Sequence, residues 1–260
     1  MKHAVRALGW ATKIFWVLII AFTGTAIYSA LNLRMNLGEP QVFSSSNGPL
    51  VLSFPLFINN TGYYDLSELN ATVYLMDDNN SFVSASATFV PLVPRGSVFS
   101  TATNISLDMD DFIQGAPGYL FNDTVFNVDT SLSLRYAYAF AFEFSQNTTI
   151  DWGAPLCDFS AGQISYQPHN STHQKATIPL SFENHSPFFG VTGTIGLEMY
   201  NEMNDFMGSG TLFVDVAPHS TYENRVEAFL ESSTLTGSGM LHYYFDTSMF
   251  SFGPLVMSYG

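Results

Sequence analysis

At a constant offset of 124 residues this chain repeats itself. Pro55-Leu56 matches Pro179-Leu180, Asn60 matches Asn184, Asn80 matches Asn204, Phe82 matches Phe206, Phe89-Val90 matches Phe213-Val214, and Pro94 matches Pro218, all without a gap. A unit that recurs in this way must fold twice to one plan, so the choice narrows to architectures that about 100 residues complete. The ends correspond too, since Trp152-Gly153-Ala154-Pro155-Leu156 closes the first copy as Phe252-Gly253-Pro254-Leu255 closes the second. Between the copies, residues 157–174 (CDFSAGQISYQPHNSTHQ) are turn-forming and polar, as suits a linker.

Inside each copy the apolar residues follow a period of two. Leu50, Leu52, Phe54, Leu56 and Ile58 mark a strand with one buried face, and Leu69, Ala71, Val73 and Leu75 mark a second. Asp77-Asp78-Asn79-Asn80 supplies hairpin chemistry, because Asn and Asp tolerate positive φ and bond their own backbone. Residues 82–90 return as a third strand, 91–96 turn, and 98–107 form a fourth. The longest alternation covers residues 132–144, where Leu132, Leu134, Tyr136, Tyr138, Phe140, Phe142 and Phe144 read as one face of a single strand. The second copy offers strands at 177–183, 191–200, 206–216, 222–230 and 240–245. With no long amphipathic helix after residue 34, the pattern predicts two tandem immunoglobulin- or fibronectin-like β-sandwiches. A single barrel of ten or more strands is the alternative, and the repeat with its polar divider favours the pair.

The beginning of the chain is different. Residues 14–33 (IFWVLIIAFTGTAIYSALNL) carry no charge, and at 1.5 Å per residue a helix of this length reaches about 30 Å, the thickness of a bilayer core. Lys2, Arg6 and Lys13 precede the run, whereas Arg34 alone follows it closely; Trp10, Trp16 and Tyr28 lie near its ends. This is the charge and aromatic pattern of a transmembrane helix with a cytoplasmic N-terminus. A cleaved signal peptide is the competing reading, with Gly24-Thr25-Ala26 as the small-residue site. The anchor is preferred because the apolar run continues past that site. All 22 acidic residues lie after Arg34, against four basic ones there, and 12% charged residues overall leave no basic footprint for nucleic acid.

Residues 52–108 show an order of features that resembles the LEA14-like, or WHy, domain: a strand into an Asn turn, an alternating strand, an Asp/Asn hairpin, a strand, a proline-glycine turn and a closing strand. Asn59-Asn60-Thr61-Gly62 stands at the first turn and Pro94-Arg95-Gly96-Ser97 at the later one, while Glu183-Asn184-His185-Ser186-Pro187 departs further in the second copy. The resemblance implies a fibronectin-like sandwich without catalysis, often in tandem on a membrane anchor.

Asn-x-Ser/Thr sequons stand at Asn59, Asn70, Asn79, Asn104, Asn122, Asn147, Asn170 and Asn184, as predicted glycosylation sites of an exported chain. Many sequons with only Cys157 point to an archaeal cell surface, where a disulfide framework is not the rule. Candidate chemistry is sparse. His169 and His173 have the spacing of a helical metal pair but sit among loop residues. Asp108, Asp110 and Asp111 offer oxygen atoms to Ca²⁺ without EF-hand spacing, and read better as a solvated turn or as the acidic first turn of a short helix. Cys157 lacks the His and Met that a cupredoxin copper site places shortly after its cysteine. Tyr63-Tyr64, Phe188-Phe189 and Tyr243-Tyr244 are candidate binding aromatics, with core packing the preferred account. No phosphate loop or GxSxG elbow occurs.

The sequence therefore predicts a cytoplasmic N-terminus (1–13), a transmembrane helix (14–33), a linker (34–48), a first sandwich (49–157), a second linker (158–174) and a second sandwich (175–260). The function expected is that of a non-enzymatic, single-pass membrane protein with its β part outside, a structural or adhesion spacer or an accessory subunit bound to a protein partner in the cell envelope. No catalytic, cofactor-binding or metal-binding residue and no cofactor is predicted. Alternatives are a sensing module for a glycan or Ca²⁺, and a secreted subunit that polymerises through free strand edges.

Overall fold

The computed structural model describes residues 2–44 and 48–260. It opens with helix α1 (Lys2–Ala30), followed by β1 (Leu33–Leu37), β2 (Gln41–Phe43), β3 (Leu50–Asn60), β4 (Leu66–Met76), β5 (Phe82–Val93) and β6 (Ser97–Leu107). Helix α2 (Met109–Gly115) and a 3₁₀ turn (Pro117–Leu120) lead to β7 (Thr124–Tyr136) and β8 (Phe140–Trp152). Then come β9 (Cys157–Ala161), β10 (Ser165–Pro168), β11 (His173–Asn184), β12 (Val191–Asn201), β13 (Phe206–Val216), β14 (Ser220–Glu231), β15 (Gly239–Thr247) and β16 (Ser251–Tyr259). Apart from α1 the chain is mostly antiparallel sheet, arranged as stacked sandwich layers.

Six strands of the first set recur in the second at the offset of the sequence repeat, β1 to β6 against β9 to β14. In the first set β3 pairs with β6 along one edge and with β1 and β2 in turn along the other, while β5-β4-β7-β8 forms the facing sheet. The second set follows the same order, but β13 also pairs with β14 through Gly208 to Gly210, joining all eight strands into one curved sheet.

Proline explains why each inner strand changes partner half-way. The Pro55 carbonyl accepts from Gly38 N–H at 2.8 Å and the Pro179 carbonyl from Gly162 N–H at 2.8 Å. In an antiparallel strand a residue's N–H and C=O face the same neighbour, so the donor missing from each proline faces the gap between the two short edge strands. The glycines allow the crossing, since a Cβ would lie 3.2 Å from Pro55 Cβ at Gly38 and 3.0 Å from Pro179 Cβ at Gly162.

Three expectations are corrected. Residues 34–48 and 158–174, read as linkers, contribute β1, β2, β9 and β10, short strands paired along one side of β3 and β11, while residues 45–47 lie outside the described ones. The apolar helix, expected over residues 14–33, ends at Ala30, because Leu33 already pairs with Asn60. Residues 132–144 are a hairpin: the chain reverses at Ala137 and Tyr138, with φ of 53° and 57°. Leu134 then faces Phe142 and Leu132 faces Phe144 across β7 and β8, so the apolar face is preserved although the direction is not.

Two apolar clusters hold the molecule. One lies at the α1 end of the first set, around Leu56, Ile58, Leu66, Leu69, Leu132, Leu134 and Tyr136. The other runs from Leu50, Leu52 and Phe54 through Trp152 and Leu156 into Ile178, Ile195, Val214 and Phe245, spanning both sets. Helix α2 and its turn lie at this junction and bury Met109, Ile113 and Leu120.

Candidate functional site

Helix α1 is built into the first strand set rather than tethered to it. Most of its length presents apolar side chains outward, with Ile14, Val17 and Ile20 each more than half exposed. Its last turns do the opposite: Ala26 is 1% and Ser29 0% exposed. The Ser29 hydroxyl accepts from the Tyr63 N–H and meets the Tyr136 hydroxyl. Thr25 Oγ1 lies 2.9 Å from Tyr64 Oη. The Phe22 ring packs on Tyr64 at 5.6 Å and stacks with Phe140 at 6.0 Å, and Tyr28 stacks on Tyr63 at 6.4 Å. Gly62 makes this seat possible, since a Cβ there would lie 2.2 Å from Tyr136 Oη. Beside the seat, an open groove of about 550 Å³ separates the edges of β1 and β8, lined by Leu33, Met35, Leu37, Leu132, Phe142 and Phe144. In the second set Phe159, at the position of Met35, packs on Tyr243 and Phe245 at 5.2 Å each.

A polar clasp closes the junction between the two sets. His185 Nδ1 donates to Asp123 Oδ2 at 2.8 Å, and Nε2 donates to Glu183 Oε2 at 3.0 Å. Only the imidazolium donates from both nitrogens. The bonds to Glu183 and then to Asp123 raise the His185 pKa above its usual 6.5. Partial burial pushes the Asp123 carboxyl up, but the Ala154 N–H at 2.8 Å and His185 outweigh it and hold the pKa below 3.8. Cys157 stands beside them, its thiol pushed up by burial and by the carboxylates of Asp123 and Asp158. The ligating atoms of Asp123, Cys157 and His185 lie within 4.8 Å of one another, and among the described residues these three could hold a metal such as zinc. Both imidazole nitrogens are already committed to carboxylates, however, so the arrangement is that of an ion-pair clasp. Apolar packing reinforces it, with Trp152 between Phe188 at 6.3 Å and Phe189 at 6.0 Å, and with the Leu156 N–H on the Leu120 carbonyl at 2.8 Å.

The sequence-predicted residues distribute as follows. Asn79, Asn104, Asn122, Asn147 and Asn170 are exposed, and Asn59 and Asn70 are half-buried in strands. Asn184 is a correction. It is fully buried, its amide donates to the carbonyls of Phe189 and Ala217 at 3.1 and 3.2 Å, and its oxygen accepts from the Ser186 N–H. A glycan would have to displace all three bonds. Asn60 does the same work in the first set, donating to Tyr64, Val93 and Pro94 carbonyls, so this identity of the repeat marks a structural corner. His173 bonds Thr172 and His169 packs on Phe229 at 4.8 Å, with no shared ligand position shown between them. Asp108 caps α2 by accepting from the N–H groups of Asp110 and Asp111, and Asp110 accepts from Ser251 N–H at 2.7 Å. Of the paired aromatics, Phe189 and Tyr243 are core residues, whereas Tyr63 is 58% exposed. Sequence reasoning missed His185 and Asp123, which lie 62 residues apart and meet only through the fold.

No family model matches the chain, and no curated protein matches it in sequence. Solved structures with a similar course include red sea bream transglutaminase, at 15% identity and TM-score 0.30 over 86% of this chain. A glycosyl hydrolase family 2 member from Bacteroides cellulosilyticus has 11% identity and TM-score 0.30 over 82%, and the Bacillus subtilis sporulation control protein Spo0M has 8% and 0.25 over 77%. The chain spans 31% and 28% of the first two proteins and 90% of Spo0M. At these scores the likenesses carry no argument about activity.

Proposed function

We propose that this is a single-pass membrane protein whose β-rich part stands outside the cytoplasm as a spacer or as an accessory subunit of an envelope complex, without catalysis of its own. The observation that carries the reading is the seat of α1. Helix Arg6–Ala30 is long and apolar enough to cross a bilayer. A signal sequence meets the same test of length and composition. Here, though, Ala26, where a signal peptidase would cut, is helical and 1% exposed against the first strand set, and Phe22 and Thr25 hold Tyr64. Removing residues up to Ala26 would strip those contacts from a folded surface. The LEA14-like character of each strand set, a protein partner, and glycans on the exposed Asn79, Asn104, Asn122, Asn147 and Asn170 belong to the same proposal.

Intact-mass measurement on protein extracted from its native membrane tests it. The expected result is a chain that retains residues upstream of Ala26 and stays with the membrane after alkaline washing. A mature chain beginning near residue 27 in the soluble fraction overturns the anchor, and turnover of a glycan or peptide substrate by the purified protein overturns the absence of catalysis.

A further inference from the structure

The sandwich grips α1 too far along its length to stand clear of a membrane. Phe140 and Tyr64 pack on Phe22, Tyr64 bonds Thr25, and Tyr63 and Tyr136 meet Tyr28 and Ser29. From Phe22 to Ser29 the helix rises about 10 Å, so the loop holding Tyr63-Tyr64 and the β7–β8 turn flank its last two turns. The uncharged helix below these contacts, residues 14–22, rises only about 12 Å, less than half of a hydrocarbon core of about 30 Å. Shifting the helix until Phe22 left the hydrocarbon would draw both Lys13 and Arg6 into it, which is the costlier arrangement.

We propose that the tip of the first strand set is immersed in the outer leaflet, with the Tyr63-Tyr64 loop and the β7–β8 turn in contact with lipid. This rests on the reading of α1 as an anchor. The chemistry of the tip fits lipid. Residues 136–142, Tyr-Ala-Tyr-Ala-Phe-Ala-Phe, carry no charge, and Leu31, Tyr63 and Tyr138 are 79%, 58% and 65% exposed. Tyrosine suits this level, with an apolar ring and a polar end. Several tip amides already have partners: Ala137 N–H donates to the Asp65 carbonyl, Ala139 N–H to the Tyr136 carbonyl, and Tyr63 N–H to Ser29. Such internal satisfaction is what immersion requires of a backbone. Charges then set the limit of insertion. Asp65 follows Tyr64 and accepts from the Arg95 N–H, Arg135 precedes Tyr136 and pairs with Glu68, and Glu143 follows Phe142, so these are the groups that headgroups would meet.

The test uses the full chain, in a Cys157→Ser background, reconstituted in phosphatidylcholine vesicles. A spin label is placed singly at Tyr138→Cys, Tyr63→Cys, Ile20→Cys in the anchor, and Phe213→Cys on the exposed surface of β13. Collision with oxygen and with a water-soluble nickel chelate is measured at each. The expected result is loss of chelate access and gain of oxygen access at Tyr138 and Tyr63 to match Ile20, with Phe213 freely open to the chelate. If Ile20 is in lipid while Tyr138 and Tyr63 are as wet as Phe213, the immersion is overturned and the anchor stands. If Ile20 is itself wet, the anchor reading has failed. Shielding of Tyr138 from both reagents would mean that protein covers the tip, which also overturns the proposal.

Discussion

At the level of single residues, two kinds of polar group hold the molecule to one geometry. Asn60 and Asn184 each donate to buried or partly buried backbone carbonyls at the end of a strand and in the adjoining loop. Replacing either with alanine leaves those carbonyls unpaired, and unfolding in urea should show a loss of about 2–3 kcal/mol. A peptide mass map of the native protein should find Asn184 unmodified whatever the state of the exposed sequons. His185 has a pH signature. Its pKa is raised in the folded chain, so its contribution is fully present below pH 6.5 and is lost as pH rises through the folded value. Asp123 is lowered, so its contribution is present above pH 3.8 and is lost as pH falls through its folded value. The clasp is therefore strongest between these limits. His185→Gln should narrow the difference in melting temperature between pH 5.5 and pH 8.5 that the unaltered protein shows, and an unchanged difference would assign the clasp no share in stability.

For the elements, alternation told which residues form strands more reliably than where strands turn. The strands at 50–58, 69–75, 98–107, 191–200 and 206–216 fall inside β3, β4, β6, β12 and β13 because each has one buried face and a period of two. The β7–β8 turn was illegible since neither Ala137 nor Tyr138 is a residue that ordinarily marks positive φ, and the alternation continues across it. That conformation stores strain, so Ala137→Gly should raise the unfolding free energy by about 0.5–1 kcal/mol in chemical denaturation. The short edge strands, of three to five residues, were too brief to show an alternation. A signal existed, however, because Gly38 and Gly162 stand 124 residues apart, opposite the matched prolines. Tyr243 also shows the limit of reading a strand from sequence. Its ring is fully buried, and its hydroxyl has no partner among the described residues, a position from which Tyr243→Phe should stabilise the fold by about 1 kcal/mol.

Taken whole, the molecule is less divisible than its repeat suggests. Trp152 is 2% exposed, packs on Phe112 and Phe126 before it and on Phe188 and Phe189 after it, and donates its indole N–H to Tyr119. The larger apolar cluster passes through it. Calorimetry of the full chain in detergent should therefore show one cooperative transition, and Trp152→Ala, at a cost of about 3–5 kcal/mol, should separate it into two. The sequence by itself determined the apolar helix, the β class, the two copies of one strand plan and most strand positions. These follow from local properties, namely charge, side-chain period and the recurrence of residues along the chain. Only the tertiary structure decided the seat of α1, the shared core, the burial of Asn184 and the pairing of His185 with Asp123 and Glu183. Each of these depends on groups from distant segments meeting in space, and the energy of such meetings lies in removal from water and in shared hydrogen bonds, which no local pattern records.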